Sequence, residues 1–153
     1  MAVVRDRPCG GANFLVSFSG AGAGDARAAA AGFCEVIFPQ FTFDPADAHA
    51  AEALQREGTE SPGAAGGQRL ILKRGVIGNL DLYAWWNKAR RGRASRRRTV
   101  KIELLGEDQT TVVLTWHFRN ARPVSLSYSP LRAVEGGIVI ETLELAFDNM
   151  EMS

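Results

Sequence analysis

Cysteine and histidine are scarce in this 153-residue chain: Cys9 and Cys34, His49 and His117. The cysteines form no Cys-x-x-Cys pair, so they read as small buried or idle thiols, not as a disulfide or a metal site. The histidines lack a His-x-x-x-His spacing, and a zinc site needs three or four converging ligands. No metal and no cofactor is therefore expected. No apolar run of about 18 residues or more occurs, so no helix is expected to cross a membrane. The opening Met1-Ala-Val-Val-Arg-Asp-Arg-Pro-Cys9 also lacks the apolar core of a secretory signal. Synthesis and folding in the cytoplasm are expected. Net charge is nearly absent, at +1, and whole-chain electrostatics single out no partner. A chain of this length suits one domain over 1–153, burying roughly 68–70% of its unfolded surface.

What is present is organised around Leu72-Lys-Arg-Gly-Val-Ile-Gly-Asn-Leu-Asp-Leu-Tyr-Ala-Trp-Trp86. It begins as a strand, breaks at Gly75 and Gly78, and starts a helix. Asn79 is placed to act as N-cap, its side chain accepting from an orphan amide. Asp81 suits the positive end of the helix dipole. Leu82, Trp85, Trp86 and Ala89 fall at i, i+3, i+4 and i+7, on one apolar face. Leu82, Trp85 and Trp86 are expected to anchor that face on a sheet. Gly92 supplies a stop just beyond Arg91.

Around this stretch the pattern is β. Residues 1–12 read as an arm, broken by Pro8, Gly10 and Gly11. Phe14, Val16 and Phe18 alternate with polar neighbours, as in a half-buried strand. Gly20, Gly22 and Gly24 follow it, but the dinucleotide reading fails. Too few residues separate Asp25 from Phe33 for a parallel crossover, which needs about a dozen. A second β-like run covers 33–43. Residues 44–68 form a long low-order loop, the first candidate for a partner contact. Runs at 68–73, 99–105 and 112–119 read as strands, the last two as a hairpin about Gly106-Glu-Asp-Gln109. A short strand at 124–128 is fenced by Pro123 and Pro130. The final run, 138–147, carries apolar groups on both faces, so both should be covered. The expected fold is mainly β: an antiparallel barrel or sandwich with one flanking helix.

Charge is segregated along the chain. Lys88, Arg90, Arg91, Arg93, Arg96, Arg97 and Arg98 crowd one stretch, while Glu135, Glu141, Glu144, Asp148 and Glu151 mark the other end. Three readings are open: solvated segments, contact between copies through opposite charges, or a nucleic-acid patch using Trp85 and Trp86. The last is weakened because both tryptophans lie on the apolar helix face. A catalytic constellation is not expected. Ser17, Ser19, Ser125 and Ser129 have no nucleophile-elbow context. Glu141 and Glu144 face opposite sides of a strand and cannot act as a carboxylate pair.

Taken in order, several motifs resemble the inner-tube proteins of contractile phage tails and extracellular contractile injection systems. They are Asn13-Phe-Leu-Val-Ser-Phe18, Ala31-Gly-Phe-Cys-Glu-Val36, Arg56-Glu-Gly58, Leu72-Lys-Arg-Gly-Val-Ile-Gly-Asn-Leu80 with Trp85-Trp86, Ile102-Glu-Leu-Leu105, Trp116-His-Phe-Arg-Asn-Ala-Arg-Pro123 and Ile140-Glu-Thr-Leu-Glu-Leu-Ala146. The sequence departs from the family's pattern at Gln55, where Tyr is usual, and at Cys34-Glu-Val-Ile-Phe-Pro39. The resemblance implies the tail-tube fold, and hexameric rings stacked into a hollow tube that does no chemistry. It implies sheath, baseplate, spike and cap proteins as partners, with protein cargo or DNA in the lumen. The particle is phage tail-like and can be released extracellularly. The subunit surface it points to comprises Arg56, Glu57 and Gly58 on the loop motif and Lys73 and Arg74 on the next, joined on the charge argument by Arg96, Arg97, Arg98, Glu141 and Glu144. A tube-initiating ring on the baseplate is the alternative, and an oligonucleotide-binding barrel is a more distant one.

Overall fold

Phe14, Val16 and Phe18 turn inward while Leu15 stays 55% exposed, as the alternation requires. The computed structural model describes residues 2, 3, 5, 7–20, 32–42, 68–92 and 97–153. The elements are β1 (Phe14–Gly20), β2 (Phe33–Ile37), β3 (Leu70–Gly75), α1 (Asp81–Arg90), β4 (Arg98–Leu105), β5 (Val112–Tyr128), β6 (Ile140–Ala146) and β7 (Asn149–Met152). Every strand pairing is antiparallel, in the order β1-β4-β5-β6-β3-β2, with β7 also on β5. The fold is mainly β with one helix among the described residues, as the pattern implied.

β5 is the spine. Its first half pairs with β4 and β7, its second half with β6. Expected as two pieces, it is one 17-residue strand. Two bulges hide its continuity, because each adds a residue and flips which positions face inward. Phe118 is buried before the first bulge, where Asn120 takes φ 53°. Ala121 and Pro123 are buried after it; past the second, Leu126 packs on the core. Pro123 opens that second bulge, the place where a sheet tolerates a missing N–H.

The sheet curls so that β1 and β2 approach each other, with the Phe18 and Phe33 rings 5.9 Å apart. One core draws on both halves: Val16, Phe18, Val100 and Ile102 from one, Leu70, Leu72, Leu143 and Leu145 from the other. α1 lays Leu82 and Trp85, each 1% exposed, onto it. Trp85 meets Phe18 edge-on at 5.5 Å, and the Arg98 guanidinium lies 4.9 Å from the Trp85 ring.

Two helix expectations need correction. Leu80, not Asn79, occupies the cap position, yet Asn79 Oδ1 still accepts the Asp81 amide at 2.9 Å. Trp86 is only half-buried. Residues advance about 100° each round a helix, and the axis of the buried stripe runs through Leu82, Trp85 and Ala89, leaving Trp86 on its flank. At the other end Gly92, at φ 75°, donates its amide to Ala89 and stops the helix as expected.

The last strand starts at Ile140, not Ile138, and has one apolar face: Leu143 and Leu145 point in, Thr142 and Glu144 out. β7, four residues with little apolar pattern, was not foreseen. Beyond it Ser153 and Thr115 exchange backbone hydrogen bonds of 2.9 Å, and the Val3 amide donates to the Val113 carbonyl at 2.8 Å.

Candidate subunit-contact surface

The β3–β6 register sets Arg74 opposite Glu141 on the core side. Arg74 Nε donates to Glu141 Oε1 at 2.8 Å, and the Tyr128 hydroxyl donates to Oε2 at 2.8 Å. Arg74 also donates to the Asn79 carbonyl at 3.3 Å and lies over the Phe33 ring at 5.6 Å. Arg74 and Glu141 are 1% and 4% exposed. Both were expected at a subunit surface; they are instead an internal ion pair, because the inward parity of Leu143 and Leu145 carries Glu141 with it. Burial pushes the Tyr128 hydroxyl up to about 12, and its hydrogen bond to the Glu141 carboxylate adds to the effect.

The other expected contact residues are scattered. Lys73 lies on the outer face, 3.4 Å from Glu35, and Glu144 is half-buried on that same face. Arg97 reaches Asp148 at 3.4 Å. Arg98 covers the Trp85 ring and so supports the core. Arg56, Glu57, Gly58 and Arg96 lie outside the described residues, as do His49 and nearly all of the 44–68 loop. Much of the acidic end finds partners within the chain. Asp148 pairs also with Arg122 at 3.0 Å, Glu151 with Arg119 at 3.2 Å and Glu135 with Arg132 at 3.1 Å. The folding of β7 along β5 brings these partners together. His117 stands half-buried on β5, in register between Lys101 of β4 and Glu151 of β7. Cys9 and Cys34 are free and exposed.

Among the described residues the most exposed large hydrophobics, Leu131, Val134 and Ile138, lie in the connection between β5 and β6. Val76, Tyr128, Leu131, Ile138 and Val139 line a shallow cleft at the end of the sheet where β3 finishes. The Val76 amide donates to the Val139 carbonyl at 2.9 Å, and the Ile140 amide to Ser129 Oγ at 2.8 Å, so the cleft is framed by backbone bonds. Leu131 is 82%, Val134 96% and Ile138 81% exposed. At the opposite end of β3, Phe38 packs on Trp116 at 4.8 Å and Phe41 stacks on Phe118 at 6.4 Å, both still partly open to solvent. Gln68 Nε2 donates to the Gln40 carbonyl at 3.1 Å, tying the two stems of the loop together. Sequence reasoning missed the 129–139 connection. The signal for it was two large aliphatics, Leu131 and Val134, in a segment bounded by Pro130 and Gly136-Gly137, with Ile138 just beyond.

The family model of the T4-like virus tail tube protein gp19 matches residues 11–151. The chain belongs to that tail tube family. Curated proteins give no significant match. Among solved structures, a chain of the sheath–tube complex of PVC, an extracellular contractile injection system in its extended state, superposes with a TM-score of 0.70. It is 20% identical, over 97% of this chain and 93% of that one. A chain of the anti-feeding prophage cap, described as its tube-terminating cap, gives 0.69 at 18% identity, over 100% and 95%. A chain of the anti-feeding prophage baseplate gives 0.63 at 21%, over 97% of each chain. The tail tube fold and the mainly β, one-helix architecture therefore agree.

Proposed function

We propose that this chain is a structural subunit of the inner tube of a contractile injection system or contractile phage tail. Copies form hexameric rings, and the rings stack into a hollow conduit. A surrounding sheath drives the conduit, spike first, through a target envelope, and protein cargo or DNA passes along the lumen. Baseplate and cap proteins close its two ends. The subunit performs no chemistry and inserts into no membrane; it is made in the cytoplasm and acts as part of a particle.

The observation that carries this reading is the exposure of Leu131, Val134 and Ile138 in a member of a tail tube family. Large open aliphatics beside a framed cleft mark contact sites. A second apolar patch, Phe38 with Phe41, lies at the other end of β3. Two different patches on one chain suit a heterologous contact, which generates rings or open stacks. Negative-stain electron microscopy of the purified protein tests this: rings or rods are expected. Leu131→Ser with Ile138→Ser should abolish them while leaving circular dichroism unchanged. A monomer that stays monodisperse at high concentration in low and high salt refutes the reading.

A tube-initiating, baseplate-proximal ring is the second reading, favoured by the fold match to the baseplate chain. Isolated rings that never lengthen into rods would decide for it.

A further inference from the structure

The outward side of α1 carries cations that no carboxylate among the described residues answers. Lys88, Arg90 and Arg91 are exposed on its last turn and cap. Elsewhere Lys73, Arg74, Arg97, Lys101, Arg119, Arg122 and Arg132 each have a carboxylate within 3.4 Å. Among the described residues, no carboxylate pairs with Lys88, Arg90 or Arg91. Tyr83, 45% exposed, and half-buried Trp86 sit beside them with rings 6.3 Å apart. The Arg90 guanidinium lies 5.4 Å from the Trp86 centroid, and its Nε donates to Asn87 Oδ1 at 3.0 Å. The helix dipole favours cations here but leaves their charge facing outward.

We propose that this face docks an acidic segment of a partner protein, carboxylates on Lys88, Arg90 and Arg91 and apolar side chains on Tyr83. The charge fixes the sign of the partner. The rings decide its class: single-stranded nucleic acid needs open aromatic faces for its bases, and Trp86 is half-buried with Arg90 across it. Guanidinium groups instead match carboxylates through paired hydrogen bonds. Under the tube reading above, on which only the partner's identity rests, the segment belongs to the protein that surrounds the conduit.

The test uses the full chain, a fluorescein-labelled peptide repeating Glu-Glu-Leu, and a labelled oligothymidine, read by fluorescence anisotropy. The peptide is expected to bind, to weaken as sodium chloride rises, and to lose about tenfold in affinity in Lys88→Glu/Arg90→Glu/Arg91→Glu. Should that variant not fold, Lys88→Gln/Arg90→Gln/Arg91→Gln serves the same purpose, with a smaller loss. No peptide binding by the native chain, equal binding by the variants, or tighter binding of oligothymidine overturns the proposal. Electron microscopy of the same samples keeps the two readings apart. Absence of rings and rods from the native chain counts against the tube, whereas loss of peptide binding from intact rods bears on this face alone.

Discussion

Replacing Glu141 by Gln is expected to cost the fold about 3–5 kcal/mol, the penalty for breaking a buried ion pair at one partner. The magnitude follows from burial: the Arg74 and Glu141 side chains are 1% and 5% exposed, so water cannot take over the guanidinium. Gln keeps the shape and one acceptor, but its amide nitrogen must face either Arg74 Nε or the Tyr128 hydroxyl. Arg74 keeps the Asn79 carbonyl and the Phe33 ring, neither of which carries the lost negative charge. The double change Arg74→Met/Glu141→Leu removes both charges at similar volume and should recover most of the loss. Urea unfolding followed by circular dichroism measures all three differences: Glu141→Gln, Arg74→Met alone, and the pair. Assembly would add its own stabilisation, so the series belongs in the Leu131→Ser/Ile138→Ser background. A loss below about 1 kcal/mol for Glu141→Gln, or a double variant less stable than either single one, would refute a closed internal pair.

Trp85→Ala should cost about 3–5 kcal/mol as a core truncation, whereas Trp86→Ala should lose only about 1 kcal/mol, the scale of an exposed cation–π contact; urea unfolding separates them. Tyr83 and Tyr128 are the two tyrosines, so in Tyr83→Phe the ultraviolet titration reports Tyr128 alone. It should ionise at about 12, above the ordinary 10.0. Because the folded value lies above the unfolded one, this stabilisation is complete below pH 10.0 and disappears as pH rises towards 12; a transition near the ordinary value would contradict the Tyr128–Glu141 bond. Asn79→Ala should destabilise by about 0.5–2 kcal/mol, the range for losing a side-chain acceptor at a helix start, seen as a lower urea midpoint.

The parts of the fold that were legible are those where one period runs uninterrupted. Phe14, Val16 and Phe18 keep period two, Leu82, Trp85 and Ala89 keep the helical period, and Gly92 ends it at positive φ. β5 defeated the same reasoning because its inward positions change parity twice, at Asn120 and beyond Pro123. The interior pair failed for another reason. Charged residues default to the surface, so the alternation that placed Glu141 and Glu144 on opposite sides did not raise the question of which side was inward. Leu143 and Leu145 already answered it. Its partner, 67 residues away, becomes visible only through the β3–β6 register. Charge segregation has a similar limit, since sequence distance hides that Asp148 comes to lie between Arg97 and Arg122.

The position of the Arg74–Glu141–Tyr128 chain matters more than its energy. It joins β3, β6 and β5 at the end of the sheet from which the apolar connection emerges, and through the Asn79 carbonyl it also holds the turn that leads into α1. Tyr128 belongs to both systems: its hydroxyl is anchored on Glu141 while its ring lines the cleft with Val76, Leu131 and Ile138. The walls of the cleft are thus fixed before anything touches them. Ordering side chains and loops on association costs about 0.5–1.5 kcal/mol for each one immobilised, and walls already held by backbone bonds and a buried ion pair avoid much of that cost. In the proposed tube role, a surface of modest area can then make a repeated contact between copies, provided the interior pair that frames it stays closed.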